Sequence, residues 1–278
     1  MHHYLYLGTH ETSWLSRAGV PLFISHRRLE RIRTSLPMAA APWALDSGGF
    51  SEISLYGGWR TTPAAYVDAV MRYDTEIGKL EWAAIQDWMC EPDMVARTGL
   101  SVLEHQKRTV GSYLELAALW AQASDTELVY MPVLQGYRVE EYLQCMDIYA
   151  DAGVDLGAVP LVGVGSVCRR QHTDEIRAVF EAILERDPGL PVHGFGVKLQ
   201  GLREYGNLLA TADSMAWSFN ARKNPPLPGC SHRSCSNCIK WALQWRRKIA
   251  TCDRFSSFWG RRCDCSRCAP EAFAPAAA

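Results

Sequence analysis

Short apolar runs, each closed by a glycine or a polar residue and separated by stretches of helical spacing, recur along most of this 278-residue chain. Runs with strand character fall at 5–8, 22–25, 43–45, 82–86, 129–134, 158–164, 192–197 and 208–212. Between them, Thr62-Pro63 opens a helix as N-cap and first-turn proline, and Tyr66, Val70, Tyr73 and Ile77 follow at spacings of three and four. Further helical patterns cover 94–122, 138–152 and 172–187, the last with Thr173-Asp174-Glu175 ahead of Ile176, Val179, Phe180 and Ile183. Eight strands with interposed helices predict an α/β fold of the (β/α)8 TIM-barrel type. A doubly wound sheet is the alternative that the pattern alone leaves open.

The length and a hydrophobic content of 48% suit one large domain of barrel size. No run approaches the ~18 apolar residues of a membrane span, and Met1-His2-His3-Tyr4-Leu5-Tyr6 lacks the regions of a secretory signal. A cytoplasmic protein without membrane contact is expected.

Asn224-Pro225-Pro226-Leu227-Pro228-Gly229 breaks the pattern. It divides the chain into a barrel over 1–223, a basic cysteine-rich region over 224–268 and a disordered tail over 269–278. Seven of the ten cysteines lie in 230–268 at Cys-x-x-Cys and Cys-x-Cys spacings, which in a cytosolic protein argue for metal rather than disulfides. Cys230, His232, Cys235 and Cys238 offer three thiolates and an imidazole, a full tetrahedral set for a structural zinc. Cys263, Cys265 and Cys268 form a second set without a following histidine, and the two can pool ligands. A helical stretch, 239–249, carries Trp241, Leu243 and Trp245 among basic residues. The net charge of −1 hides an asymmetry: residues 222–268 hold eleven Lys/Arg against two acidic residues, leaving 18 basic and 28 acidic residues elsewhere. A basic region beside an acidic body fits a polyanion partner.

The run ends carry the chemistry. Asp46-Ser47-Gly48-Gly49-Phe50 follows Trp43-Ala44-Leu45, and Asp87 closes Ala83-Ala84-Ile85-Gln86. Gln135-Gly136 and Gly163-Val164-Gly165-Ser166 end the next two runs, then come His193-Gly194-Phe195-Gly196-Val197-Lys198 and Ala212-Asp213-Ser214. Read on their own, several of these are plain turns, and 214–219 reads as a strand led by Asp213. In this order, however, they resemble the tRNA-guanine transglycosylase superfamily, and most closely its deazapurine DNA transglycosylase branch, over about residues 46 to 238. The cysteine cluster departs from relatives acting on tRNA, which use Cys-x-Cys-x-x-Cys with a distant histidine.

The resemblance implies a barrel and a role for each motif. Asp213 matches the nucleophile that attacks the sugar C1′, and Asp46 the general acid/base that serves the leaving and incoming base; glycosidic bonds with oxocarbenium-like transition states are cut by such carboxylate pairs. Asp87 matches the reader of the guanine N1–H and exocyclic amine. Gln135 and the backbone of Gly136 would contact O6, while Gly163, Val164 and Gly165 would bring backbone close to the ring. Phe50 and Phe195 would stack on its two faces. His193 reads as a hydrogen-bonded strand residue and Lys198 as a phosphate contact.

The implied activity is exchange of guanine in DNA for a 7-deazaguanine, of the 7-cyano type, through a covalent Asp–nucleic acid intermediate, in a bacterium or phage-infected cell. Free 7-deazaguanine base is the second substrate, and a protein that opens the duplex is a candidate partner. Exchange on tRNA is the runner-up; an inactive nucleic-acid-binding paralogue is the third, disfavoured by the presence of Asp46, Asp87, Gln135 and Asp213 together.

Overall fold

A computed structural model describes residues 4–168, 170 and 174–251. Nine parallel strands run β1 Tyr4–Thr9, β2 Leu22–Ser25, β3 Trp43–Asp46, β4 Leu80–Ala84, β5 Tyr130–Met131, β6 Val133–Leu134, β7 Val162–Val164, β8 Val192–Gly194 and β9 Thr211–Ser214. Their order in the sheet is β5-β4-β3-β2-β1-β9-β8-β7-β6. The two ends of that order are halves of one extended stretch, residues 130–134, split at Pro132, which has no N–H for a ladder. Its carbonyl still accepts the Gly163 N–H at 2.8 Å. The sheet therefore closes through eight staves, which decides for the barrel and against a doubly wound sheet.

The helices are α1 His26–Leu29, α2 Gly49–Tyr56, α3 Pro63–Ile77, α4 Pro92–Thr98, α5 Val102–Ala123, α6 Val139–Asp151, α7 Asp174–Arg186, α8 Leu199–Tyr205, α9 Ala216–Arg222 and α10 Ile239–Thr251. Helix α3 forms as its sequence dictates: the Thr62 side chain accepts the Ala65 N–H, and Tyr66, Val70, Tyr73 and Ile77 are buried. The single helix expected over 94–122 is two, because Gly99 at φ +71 ends α4 and Ser101 caps α5 through the Glu104 N–H. Among the described residues, no helix is long and apolar enough to cross a membrane.

Most of the core lies between barrel and helices, with Leu5, Leu7, Trp43, Tyr66, Phe180 and Trp217 among its members. The barrel's interior is plugged by Tyr6, Ala44, Trp82, Ala84 and Met131, with Phe23 and Phe195 packed above or beside them. Trp82 Nε1 donates to the Tyr6 hydroxyl at 3.0 Å, which in turn donates to Glu81. This aromatic plug separates a cavity at the strands' carboxyl ends from one at their amino ends, which Tyr6, Trp82 and Met131 line.

Closure between first and last strands is fastened by α9. The Trp217 indole, 1% exposed, donates to the Gly8 carbonyl at 2.8 Å and packs on Trp14. Trp217→Ala is expected to destabilise the fold by about 3–5 kcal/mol, and Trp217→Phe, which loses chiefly the hydrogen bond, by about 1–2 kcal/mol. Urea unfolding of the two variants measures the difference.

Candidate active site

A cavity of about 270 Å³ opens at the carboxyl ends of the strands. Asp46, Asp87, Glu91 and Asp213 all line it, together with Phe50, Gln135, Gly165 and Phe195. Asp46 closes β3 beside Ser25 of β2, its register partner. The Gly48 N–H donates to Asp46 Oδ1 at 3.2 Å. Gly48 adopts φ +85, and a Cβ there would lie 2.5 Å from Arg27 Cγ, so the motif's first glycine is needed twice over. Arg27 is itself held by Glu52, 1% exposed, through Nη1–Oε1 at 2.9 Å. Helix α2, which presents Phe50, is thereby anchored to α1.

Burial pushes the Asp46 carboxyl above the ordinary carboxylate range; hydrogen bonds from Ser25 and the Gly48 backbone oppose this, and the Asp213 charge adds to it. Asp87 is pushed up to about 7, chiefly by burial, against a hydrogen bond from Gln135 and with further upward pushes from Asp46 and Glu91. Its strand ends earlier than the apolar run suggested, at Ala84, so Asp87 stands in the following loop, where its carbonyl accepts the Trp59 indole N–H at 3.2 Å.

Gln135 Nε2 donates to Asp87 Oδ2 at 2.5 Å. The amide lies flat against Gly165, where any Cβ would collide with it. Gly163 plays a different part from the one expected. A Cβ there would meet Phe195 Cε2 at 2.7 Å, so it makes room for the aromatic ring. Gly136 similarly admits the backbone of Tyr142, with a Cβ meeting its nitrogen at 2.9 Å. Gly136, Gly163 and the buried Val164 are not among the residues lining the cavity, whereas Gly165 is. Phe195 stands just past β8, because the strand expected over 192–197 stops at Gly194 and Gly196 turns at φ +60. Phe50 is 45% exposed on the rim.

Asp213 is the third residue of β9, and 216–222 is helical, which reverses the isolated reading of 214–219 as a strand led by a turn aspartate. Its Oδ1 accepts the Gly196 N–H at 2.7 Å and lies 3.4 Å from His193 Nε2. His193 is fully buried and its Nδ1 lies 2.7 Å from Thr211 Oγ1. Burial lowers the imidazole's pKa against the pull of Asp213, so a neutral ring turns Nε2–H toward the carboxylate while Nδ1 accepts the threonine proton. Lys198 is exposed at the start of α8.

Two polar lining residues, Ser166 and Glu91, were given no role by the motif reading. Ser166 sits at φ +56 and bonds Gln135, while Glu91, 7% exposed, bonds Ser166. The serine's place after Gly165 was visible, but nothing in the spacing pairs it with a glutamate 75 positions away.

The DpdA family, DeoxyPurine in DNA protein A, matches residues 1–276. The chain belongs to this family. No curated protein matches it. Membership agrees with the deazapurine DNA transglycosylase resemblance of its motifs and supports, in general terms, a transglycosylase-type enzyme of DNA modification that acts on 7-deazaguanine.

In this DpdA-family chain, a candidate metal centre follows α9. The ligand atoms of Cys230, His232, Cys235 and Cys238 all lie within 4.8 Å of one another. His232 Nε2 is 3.0 Å from Cys235 Sγ, and the Cys230 and Cys238 sulfurs are 4.0 Å apart. Thiolates on a tetrahedral zinc lie about 3.8 Å apart for 2.3 Å metal–sulfur bonds, so the four groups fit such an ion. Cys235 is buried and accepts the Leu227 N–H at 3.4 Å. Ser218 on α9 donates to the Ser236 carbonyl at 2.8 Å, seating the cluster on the barrel. Cys263, Cys265, Cys268 and the expected tail fall outside the described residues. Of the basic residues on α10, Arg246 turns inward and its Nε donates to the Leu5 carbonyl at 3.3 Å, while Lys240 and Lys248 are exposed.

Two outcomes are expected. A carboxyl raised to about 7 in the fold and near 3.8 when unfolded favours folding fully below pH 4, and that contribution is lost as pH rises through 7. Asp87→Asn, which cannot ionise, should therefore raise Tm relative to the parent at pH 8 and bring little or no gain at pH 4, as read by calorimetry at both. Cys235→Ser should reduce bound metal to well below one ion per chain by elemental analysis; unchanged metal would move the site to residues 263–268.

Proposed function

We propose that this protein exchanges guanine in DNA for a 7-deazaguanine base, with Asp213 as nucleophile and Asp46 as general acid/base. The observation that carries this reading is the convergence of both carboxylates with the Asp87–Gln135 pair on one cavity. Asp213 attacks C1′ as the bond to the base nitrogen breaks, and the resulting ester keeps the DNA attached while one base leaves and another enters. The Gly196 N–H holds Oδ1 of Asp213 in place, with His193 Nε2 3.4 Å away. Asp46, raised by burial, gives a proton to the departing base and takes one from its replacement.

Asp87 accepts from the N1–H and 2-amino group, and the Gln135 amide donates to O6. Such side-by-side donors and acceptors match guanine and its 7-deaza analogues alike, so the reading extends to a 7-cyano base at the unread side of the ring. Phe50 and Phe195 provide faces for stacking, worth about 1–3 kcal/mol per base. The target nucleotide must leave the stack to reach the cavity. The exposed Lys240 and Lys248 on α10 suit contacts with the flanking phosphates. A zinc ion held by Cys230, His232, Cys235 and Cys238 would be structural, since four protein ligands leave no open position.

Mass spectrometry of nucleosides from DNA and from tRNA tests the reading, in cells supplied with 7-deazaguanine and expressing the parent chain or Asp213→Ala. A 7-deazaguanine deoxynucleoside made only by the parent is expected. The same modification confined to tRNA would replace DNA by RNA as substrate, and modification surviving in Asp213→Ala would remove Asp213 from the role of nucleophile.

A further inference from the structure

Ser166 meets three polar neighbours with one hydroxyl proton. Its Oγ accepts the Cys90 N–H at 2.8 Å and lies 2.7 Å from Gln135 Oε1 and 2.8 Å from Glu91 Oε2. A hydroxyl donates a single bond, so only one of those two oxygens is served by it, and the other contact needs a proton from the far side. Two arrangements satisfy the chain Asp87–Gln135–Ser166–Glu91. In the first, Gln135 donates an amide hydrogen to the Asp87 carboxylate, Ser166 donates to Gln135 Oε1, and a protonated Glu91 donates to Ser166. In the second, the amide is turned over: a protonated Asp87 donates to the Gln135 oxygen, the Gln135 NH2 donates to Ser166, and Ser166 donates to a Glu91 carboxylate. Both hold the same number of protons. They differ by one proton moved between the ends and one amide rotated.

We propose that Ser166 and Glu91 are positioning residues that select the purine edge the pocket accepts, by fixing which end of the Gln135 amide faces the cavity. This rests on the base-reading role given above to Asp87 and Gln135. The first arrangement offers an amide hydrogen to an oxygen at position 6 and an ionised carboxylate to two neighbouring donors, which is the edge of guanine and of 7-deazaguanines. The second offers an oxygen at the same place, which repels O6 and accepts a 6-amino group. Ser166 is suited to this control because its backbone is already committed. It stands at φ +56, where a side chain is disfavoured and glycine would be the default, and it follows Gly165, whose bareness lets the amide lie against the strand. A serine in such a place is used for its hydroxyl. Glu91 is the N-cap residue of α4 but makes no side-chain capping bond there, and its carboxylate reaches Ser166.

The test is equilibrium dialysis of the intact chain with guanine and with 2,6-diaminopurine, in which an amino donor replaces O6. Ser166→Gly keeps the left-handed backbone and deletes the hydroxyl; its guanine preference should fall by about tenfold or more, as when a buried amide loses the partner that orients it. Glu91→Gln, whose amide can donate to Ser166 at any pH, should keep or sharpen the preference. A loss of packing alone would weaken both bases alike and leave the ratio unchanged. An unchanged ratio in Ser166→Gly, with Asp87→Asn abolishing it, would overturn the positioning role and leave the base-reading role standing. A ratio insensitive to Asp87→Asn, or no guanine preference in the parent, would overturn both.

Discussion

Desolvation of carboxylates at the mouth of a closed barrel is the constraint on which the rest of this site depends. Parallel strands end on one face, so Asp46, Asp87, Glu91 and Asp213 converge on a single cavity above a plug of Tyr6, Trp82 and Met131. Burial pushes the Asp46 and Asp87 carboxyls up, and the charges of their neighbours add to it. The fold answers with local donors: Ser25 and the Gly48 backbone for Asp46, Gln135 for Asp87, the Gly196 backbone for Asp213. What remains unbalanced leaves Asp46 raised and Asp87 near 7. A carboxylate poised in this way can hold a proton in one step and give it up in the next, which is the property base exchange requires.

Glycines at the strand ends do more packing than substrate contact. Gly163 yields to Phe195, Gly136 to Tyr142 and Gly165 to Gln135. Each close approach lets a side chain from a neighbouring element reach the cavity or brace it, so the ring of functional groups depends on bare positions between them. Substituting Gly165 would move the Gln135 amide and with it the partner of Asp87, without touching either residue.

The architecture was largely legible because its signal is repetition: apolar runs at barrel spacing survive errors of two or three residues at each end. Boundaries were not. Pro132 splits one stave, Gly99 splits one helix, and β4 stops at Ala84, since backbone pairing rather than hydrophobicity decides where a strand ends. Of the residues singled out, Asp46, Phe50, Asp87, Gln135, Gly165, Phe195 and Asp213 share the cavity, because motifs at strand ends are carried to one face by topology. Gly136, Gly163 and Val164 do not, since the neighbours of a glycine or of a buried strand residue are set by tertiary contacts that spacing does not encode. Glu91 and Ser166 could not be paired from sequence for the same reason.

The cysteine cluster and the strand of Asp213 are mechanically continuous. Only Met215 separates β9 from α9, and α9 is clamped on two sides: Trp217 to the Gly8 carbonyl of β1, and Ser218 to the Ser236 carbonyl between Cys235 and Cys238. An ion held by those cysteines would stiffen the loop that receives the second clamp, because ligand bonds fix a segment too short to bury a core of its own. Loss of the ion would free Ser236, remove one of the two clamps on α9, and loosen the end of β9. A metal with no part in the chemistry would in this way still govern how closely Asp213 keeps its place beside Gly196 and His193.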